Sequence, residues 1–501
     1  MVLVPLHPSK TASAAASAEG VVSGQAGPAK PLINLLRGWP APSLLPVDLL
    51  KMATADVLAD TSIVVDSLQY GPDSGFQPLR EQLASYLSRV FAAYDVPSDP
   101  DRICITGGAS QNAACILQSF TDPSYTACVW VSAPCYFLMC PIFEDSGFAG
   151  RLRAVPEDDE GINVEALERG FQEFAALPSP PEPAYKSNLA PQRKAYRHVV
   201  YVVPTSSNPS GKSMSVARRE QLVRLARKYD ALLIADDVYD FLQWDVPPAD
   251  AVLNGKQTSV SLPPPLPRLV DVDRMLPREE GGGDDNEKGA VFGNAISNAS
   301  FSKIVAPGLR TGWVEATPAF SNGLAHTGSS RSGGAPSQFS AATINVLMRT
   351  GEMDRYLQEV VRPALQWRHR LLIQAYEKHL SPFLELKYGG LPATADSADA
   401  TTATYGGYFL WMKLRRADLS ASAIAKRAYA EENLIIADGP LFEVKGDKAG
   451  AQFDDHIRLC FAWEDEDKMG EGVERLARVL RNWDEPRAAA ELSSADADDF
   501  K

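Results

Sequence analysis

Lys303 lies in the run Ser297–Trp313, read SNASFSKIVAPGLRTGW, with Ser300 and Ser302 just before it and Arg310 seven residues after. A lysine that is to attack a carbonyl must lose its proton readily. Desolvation and neighbouring positive charge both lower its pKa and free the amine. Arg310 is positioned in sequence to supply such a charge. It could equally clamp a phosphate through its planar fork, helped by the two hydroxyls. One amine, two hydroxyls and one guanidinium within eleven residues thus suit a ligand carrying both a carbonyl and a phosphate. The same residues also suit a solvated lysine and a salt-bridging arginine, so the choice rests on what the rest of the chain offers.

Further candidates occur along the chain. Gly108, Ala109, Ser110 and Gln111 follow a short apolar run and open a helical pattern. A glycine-rich turn at a helix N-terminus presents free N–H groups and a positive dipole end, which suit an anion, although such turns also merely redirect a chain. Tyr136 follows the strand-like Ala127–Val131 and could stack on a planar ring or fill a core. Asp236 ends the apolar run beginning at Ala231, where a half-buried carboxylate needs a partner. A protonated pyridine nitrogen would serve, as would an ion pair or a helix cap, and Asp237 competes beside it. Asn208 and Tyr239 could reach a phenolic oxygen on the same ring. Arg458 is a cation inside the apolar stretch IRLCFA and calls for an anion, either a substrate carboxylate or a structural acid. Tyr70 stands before the turn Gly71–Gly75, where a packed aromatic is the ordinary alternative.

The elements that must position these groups are legible in outline. The spacing of Leu79, Leu83, Tyr86 and Val90 predicts a helix after the Tyr70 turn. His198–Val203, a turn over Pro204–Gly211, a helix over Ser215–Lys228 capped by Ser215, and Ala231–Asp236 make a βαβ unit and therefore a parallel sheet. Ligands on such sheets bind beyond the strands' carboxyl ends, where Asn208 and Asp236 fall. Val164–Leu177 is predicted helical. Residues 336–390 read as helical, with Pro363 starting or kinking a helix. Gly406–Leu414 and Ile457–Ala462 read as strands and Asp467–Leu480 as a closing helix, giving a smaller α+β unit. Residues 33–46, punctuated by proline, read as an extended strap.

The expected organisation is a disordered tail over 1–30, an N-terminal strap over 31–65 packing with the small domain, and a large domain over 66–335. Within the last, 245–291 is Pro-rich, then Gly/Asp-rich, and reads as a loop insertion. A small domain over 336–485 and a flexible tail over 486–501 complete it. The chain has 501 residues and a formal net charge of -14, which argues against a nucleic-acid partner. No apolar run is long enough to span a bilayer. Six cysteines without a CxxC pair suggest free thiols in a reducing compartment, and six scattered histidines suggest no metal site. Residues 1–30 lack an apolar core and arginines, so the cytoplasm is the expected location, with mitochondrial import the alternative.

Taken together, the motifs YGPDSGFQPLR, TGGASQ, APCY, NPSG, DDVY, SFSKIVAPGLRTGW, GGYFLW and HIRLCFA resemble the class I/II aminotransferases of fold type I. The resemblance runs from about Ile33 to Leu480 and is nearest the branch of aromatic and 2-aminoadipate aminotransferases. It implies an α/β fold, a mainly parallel seven-stranded sheet flanked by helices, with a smaller α+β domain from the N- and C-terminal segments. It implies pyridoxal 5′-phosphate as cofactor, an amino acid and a 2-oxo acid such as 2-oxoglutarate as substrates, and a homodimer. By position, Lys303 looks like the Schiff-base lysine and general acid/base, and Asp236 like the partner of the pyridine nitrogen. Asn208 and Tyr239 look like the phenolic-oxygen partners and Tyr136 like the stacking ring. Ala109, Ser110, Gln111, Ser300, Ser302 and Arg310 look like the phosphate cup, Ala109 offering only its N–H where a hydroxylated residue is usual. Tyr70 resembles the tyrosine that reaches the phosphate from the neighbouring subunit, and Arg458 the arginine that binds the substrate carboxylate. Gly38–Pro40 falls where the family places a substrate-gating segment, so Gly38 is a substrate-side candidate and Trp39 could shape the pocket. A lyase on the same scaffold, or a non-catalytic ligand-sensing domain, are the alternative functions.

Overall fold

The computed structural model describes residues 30–176, 182–186, 190–246, 265–277, 291–331, 336–391, 403–447 and 449–485. Both expected tails, apart from Lys30, and most of the 245–291 insertion lie outside these. By contact the chain divides into Met1–Pro31 and Leu32–Lys501. Only Lys30 and Pro31 of the first are described, and every described strand and helix belongs to the second.

Alternation in the apolar strands builds two cores around one sheet. In Ala231–Asp236, Leu232 and Ile234 pack into one cluster, while Ala231, Leu233 and Ala235 pack into the other. Side chains of period two on a strand covered on both faces require this arrangement. The sheet runs Ile103–Thr106, Gly312–Glu315, Ala295–Ser300, Ala231–Asp236, His198–Val202, Cys128–Ala133, Leu152–Asp158, with the two-residue Gly161–Ile162 at the edge. Strands from Ala295–Ser300 through Leu152–Asp158 pair parallel, and Gly312–Glu315 is antiparallel to both its neighbours. The described sheet is thus the expected seven strands plus one short antiparallel addition.

Helices Ala109–Phe120, Val164–Ala175 and Val216–Lys228 connect these strands. The Ser215 hydroxyl accepts the Arg218 N–H at 3.1 Å and the Asn163 side chain accepts the Ala166 N–H at 2.7 Å, satisfying donors that a helix start leaves open. A second, antiparallel sheet runs Leu384–Leu386, Phe409–Leu414, His456–Cys460, Ala437–Asp438. Helices Arg362–His379, Ala421–Glu432 and Glu466–Arg481 belong to the same stretch of chain. Two short ladders tie distant segments together: Ile33–Asn34 beside Leu434–Ile435, and Gln243–Val246 beside Ala403–Gly406.

Four readings need correction. The strap ends by Pro46, with a short helical turn over Pro42–Leu44. Val47–Ala59 is then a helix that packs on Gln338–Arg349. The insertion is not all loop, because its described part contains the helix Leu269–Met275, and its first residues extend the strand Gln243–Val246. Leu384–Leu386 is a strand inside the stretch read as helical. The strand read over Gly406–Leu414 breaks at Gly407, which takes φ +72° with Ser206 packed where a Cβ would sit, 3.0 Å away.

Candidate active site

The carboxyl ends of the parallel strands bring the candidates together. Asp236 ends its strand opposite Asn298, on the strand that continues through Ser300 to Lys303. Tyr201 lies on the other side of the Asp236 strand, in register with Ile234. Its hydroxyl donates to Asp236 Oδ2 at 2.6 Å, and Oδ1 is buried with no hydrogen-bond partner. Burial pushes the Asp236 carboxyl up to about 6, against the opposing pull of the Tyr201 hydrogen bond, the Val238 N–H and the Lys303 charge. Asp237 points to the opposite face, toward Asp240, Arg268 and Arg219, which separates the two adjacent acids.

Lys303 is partly buried. Its Nζ donates to the Gly38 carbonyl at 2.7 Å and lies 5.0 Å from the Tyr408 ring centroid. Burial brings its pKa down to about 8; Arg458 pushes the same way, while Cys460 and Asp236 oppose. The charge that assists is therefore Arg458, not Arg310 as the sequence suggested. Arg310 is exposed, and its guanidinium donates to the carbonyls of Pro307 at 2.8 Å and Gly107 at 3.2 Å. Gly38 has a steric requirement as well, since a Cβ there would lie 2.7 Å from Phe409 Cζ.

Arg458 is buried in the strand His456–Cys460. Its Nη1 donates to Asn208 Oδ1 at 2.8 Å and its Nη2 to the Leu36 carbonyl. Its guanidinium lies 4.0 Å from the Phe409 ring centroid and 4.7 Å from that of Phe442. Burial lowers its pKa to about 10, and among the described residues no carboxylate pairs with it. A buried, apolar-walled guanidinium without an acid, beside Lys303, is a ready seat for an incoming carboxylate. Tyr239 is buried with its ring 5.5 Å from that of Tyr408. Tyr136 is half-buried. Burial pushes its phenol up to about 12, and the Asp236 charge adds to that effect.

A polar cup stands at the other end. Gly108 takes φ +100° at the start of Ala109–Phe120, and a Cβ there would meet Arg310 Nη2 at 2.8 Å. The Ser300 and Ser302 hydroxyls lie 2.8 Å apart, and Ser300 Oγ also accepts the Ser302 N–H at 3.1 Å. Asn298 fixes this helix to the strand, donating to the Ala109 carbonyl at 3.0 Å and accepting from Asn112 at 2.8 Å. Ser110 sits in the first turn, where N–H groups are free of intrahelical partners. The Gln111 side chain turns back instead, accepting the Gly107 N–H at 3.2 Å and donating to Cys115 Sγ at 3.0 Å. Tyr70 is 85% exposed and joins none of these groups within the chain.

Sequence reasoning missed Tyr201, Tyr408, Cys460 and Asn298. A hydroxyl inside the apolar run HVVYVV and an amide inside AISNAS were signals of groups facing a site. Among the described residues there is no cluster of metal-ligating side chains, and no helix is long and apolar enough to cross a membrane.

The class I and II aminotransferase family model matches residues 51–476, and the chain belongs to this family. Its cofactor is pyridoxal 5′-phosphate. An uncharacterised protein of Saccharomyces cerevisiae is 32% identical over 90% of this chain and 97% of its own length. Aromatic-amino-acid aminotransferase 1 of Thermococcus litoralis is 26% identical, covering 90% of this chain and 88% of that one. The crystal structure of Pyrococcus horikoshii kynurenine aminotransferase superposes with a TM-score of 0.67 at 24% identity, over 91% of this chain and 92% of that one, which establishes the shared fold. The residues present fit the cofactor. The unpaired Asp236 Oδ1 suits a ring N–H, the Gly108–Arg310–Ser300 cup suits a phosphate, and the Lys303 amine suits an aldehyde.

Proposed function

We propose that this aminotransferase moves an amino group between an aromatic or 2-aminoadipate-like amino acid and a 2-oxo acid such as 2-oxoglutarate, working as a homodimer. When bound, the cofactor supplies an aldehyde that accepts the amino group and a ring that accepts electrons. The chain's own residues do the rest. Asp236 offers Oδ1 to the ring nitrogen and so keeps a positive charge there, with Tyr201 fixing the carboxylate's orientation. Asn208 and Tyr239 orient the ring's phenolic oxygen, and Tyr136 covers a ring face. Ala109, Ser110, Ser300, Ser302 and Arg310 hold the phosphate. Lys303, with its pKa near 8, would take the proton from the substrate's Cα and return it to the carbon on the other side of the substrate's nitrogen. Arg458 and Asn208 receive the substrate's α-carboxylate, so that the Cα proton faces Lys303.

The observation that carries this reading is the acid-free Arg458 guanidinium beside the desolvated Lys303 amine. It also supports a large domain over 66–335 and a small one over 336–485, with Asn208 from the first meeting Arg458 from the second. A donor screen tests it: each amino acid is added to the holoenzyme and the cofactor's absorbance is followed, then 2-oxoglutarate is supplied and glutamate measured. Conversion by aromatic donors or 2-aminoadipate with glutamate formed is the expected result. Release of pyruvate or ammonia without an acceptor would instead identify a lyase and overturn the assignment.

A further inference from the structure

A cavity of about 220 Å³ lies among three segments that are distant in sequence: the end of the helix Gln77–Val90, the stretch from Asp240 to Gln243, and the stretch from Asp354 to Arg362. Among the described residues, none that lines it is a candidate for holding cofactor or substrate. Val90, Phe241, Leu357 and Pro265 give it an apolar wall. The Phe241 ring is fixed by Tyr86 and Phe91, at centroid distances of 5.4 and 6.4 Å. An apolar cavity of about 150 Å³ holds benzene, so this one has room for a six-membered ring and a small polar substituent.

Arg362 supplies the charge. Its Nε donates to the Phe241 carbonyl at 2.8 Å, which orients the fork and leaves Nη1 and Nη2 over. Among the described residues, those two nitrogens, the Tyr86 hydroxyl and the Gln243 side-chain amide make no hydrogen bond. Burial pushes the Tyr86 phenol up, so the hydroxyl keeps its proton and remains a donor. The nearby acids are committed elsewhere. Asp354, which also faces Arg362, accepts from Arg89 Nη2 at 2.9 Å. Both Asp240 oxygens are buried with no hydrogen-bond partner, and Arg219 and Arg268 meet their charge. The cavity thus offers donors and positive charge on one side and apolar surface on the other. The edge of a guanidinium matches a carboxylate in two parallel hydrogen bonds.

We propose that this cavity is a second small-molecule site, built for a compact aromatic carboxylate. Arg362 takes the carboxylate, with the Tyr86 hydroxyl and the Gln243 amide beside it, and the ring lies against Phe241 and Leu357. Because the walls share no residue with the Lys303 and Arg458 site, occupancy does not exclude substrate.

Benzoate is the probe, since it carries a ring and a carboxylate but no group to transfer. Arg458 is also a seat for carboxylates, so the calorimetric titration uses the Arg458→Gln holoenzyme, to which one benzoate per chain should still bind. Adding Arg362→Gln should weaken that binding about tenfold or more, the loss expected for a charge-assisted pair. Arg362→Lys in its place should keep part of it. Val90→Phe leaves the guanidinium intact and fills the apolar end, and it should abolish binding too. Melting temperatures report whether each variant is folded, and if one is not, the other decides. Acetate and benzyl alcohol should both bind more weakly than benzoate, because one lacks the ring and the other the charge. The proposal is overturned if the Arg458→Gln enzyme binds no benzoate, if folded Arg362→Gln or Val90→Phe binds it equally well, or if acetate or benzyl alcohol binds as tightly.

Discussion

Burial moves the Lys303 and Asp236 pKa values toward neutrality from opposite sides. The Lys303 pKa falls from 10.5 to about 8, so its amine is protonated below that pH and free above it. Acylation of Lys303 in cofactor-free protein, followed by peptide mass spectrometry, should therefore rise with a midpoint near pH 8. A midpoint near 10.5 would mean that the side chain is not desolvated. Asp236 is shifted in the opposite sense, from 3.8 to about 6. The folded state binds the extra proton between those values, so the protein loses stability as pH rises through that window. At neutral pH the shift corresponds to roughly 3 kcal/mol of strain. Asp236→Asn should thus raise the melting temperature of the cofactor-free protein at pH 7–8, while lowering kcat of the holoenzyme by about 10²–10³. A variant that melts lower and keeps its activity would contradict both roles. Part of this scale was legible: residue type marked Lys303, and strand position marked the pair Asp236 and Asp237. The decision between Asp236 and Asp237 was not legible in composition, because it depends on which face of the sheet each adjacent residue meets. Nor was the source of the charge acting on Lys303. Arg310 is near in sequence, but Arg458 acts on it from 155 positions away.

The elements that positioned these residues were legible where their periodicity was strong. The βαβ run from His198 to Asp236 is continuous apolar strand, capped helix, continuous apolar strand, and it folds as read. The helix Val47–Ala59 was hidden because its only buried residues are Ala53 and Val57, too few to mark a stripe. The helix Leu269–Met275 was hidden because it is seven residues long and flanked by proline-rich sequence. Its anchorage is electrostatic. Arg268 donates through Nε and Nη2 to the two Asp271 oxygens, each at 2.9 Å, and its Nη2 lies 2.7 Å from Glu315 Oε2 in the strand Gly312–Glu315. Ser98 donates to the other Glu315 oxygen at 2.6 Å, and the Arg268 guanidinium lies 4.3 Å from the Phe91 ring centroid. Asp271 also accepts the Arg268 N–H at 2.9 Å, capping the helix. All three charged groups are buried, so removing one strands the others. Asp271→Ala should lower unfolding free energy by about 3–5 kcal/mol, read by denaturant titration. Asp271→Ala with Arg268→Met should recover part of that loss. If Asp271→Ala alone is silent, the cluster does not anchor the segment.

At the scale of the whole molecule, one proposed site residue stands apart from the others within the chain. Tyr70 is 85% exposed, and Val65 and Leu68 near it are 63% and 62% exposed, in a stretch that continues from the helix Val47–Ala59. Large apolar side chains gathered on one exposed segment suit a surface covered by another subunit. If Tyr70 of one copy reaches the phosphate cup of another, as the family resemblance implies, a two-fold assembly makes that reach reciprocal, because an isologous interface is the same patch on both subunits. Assembly is tested by mass: as the proposed homodimer, the 54.3 kDa chain should elute and scatter light as a particle of twice that mass. Reach is tested by complementation. Lys303→Ala cannot react at its own site but carries an intact Tyr70. Tyr70→Ala keeps Lys303 but lacks the hydroxyl that its partner's cup needs. When the two variants are unfolded, mixed in equal amounts and refolded, about half of the dimers are mixed, and each has one complete site, giving about a quarter of wild-type activity. That recovery must exceed the sum of the two variants measured apart. If mixing adds nothing while light scattering still reports a dimer, Tyr70 serves its own subunit or none, and the shared site is wrong even though the assembly is right.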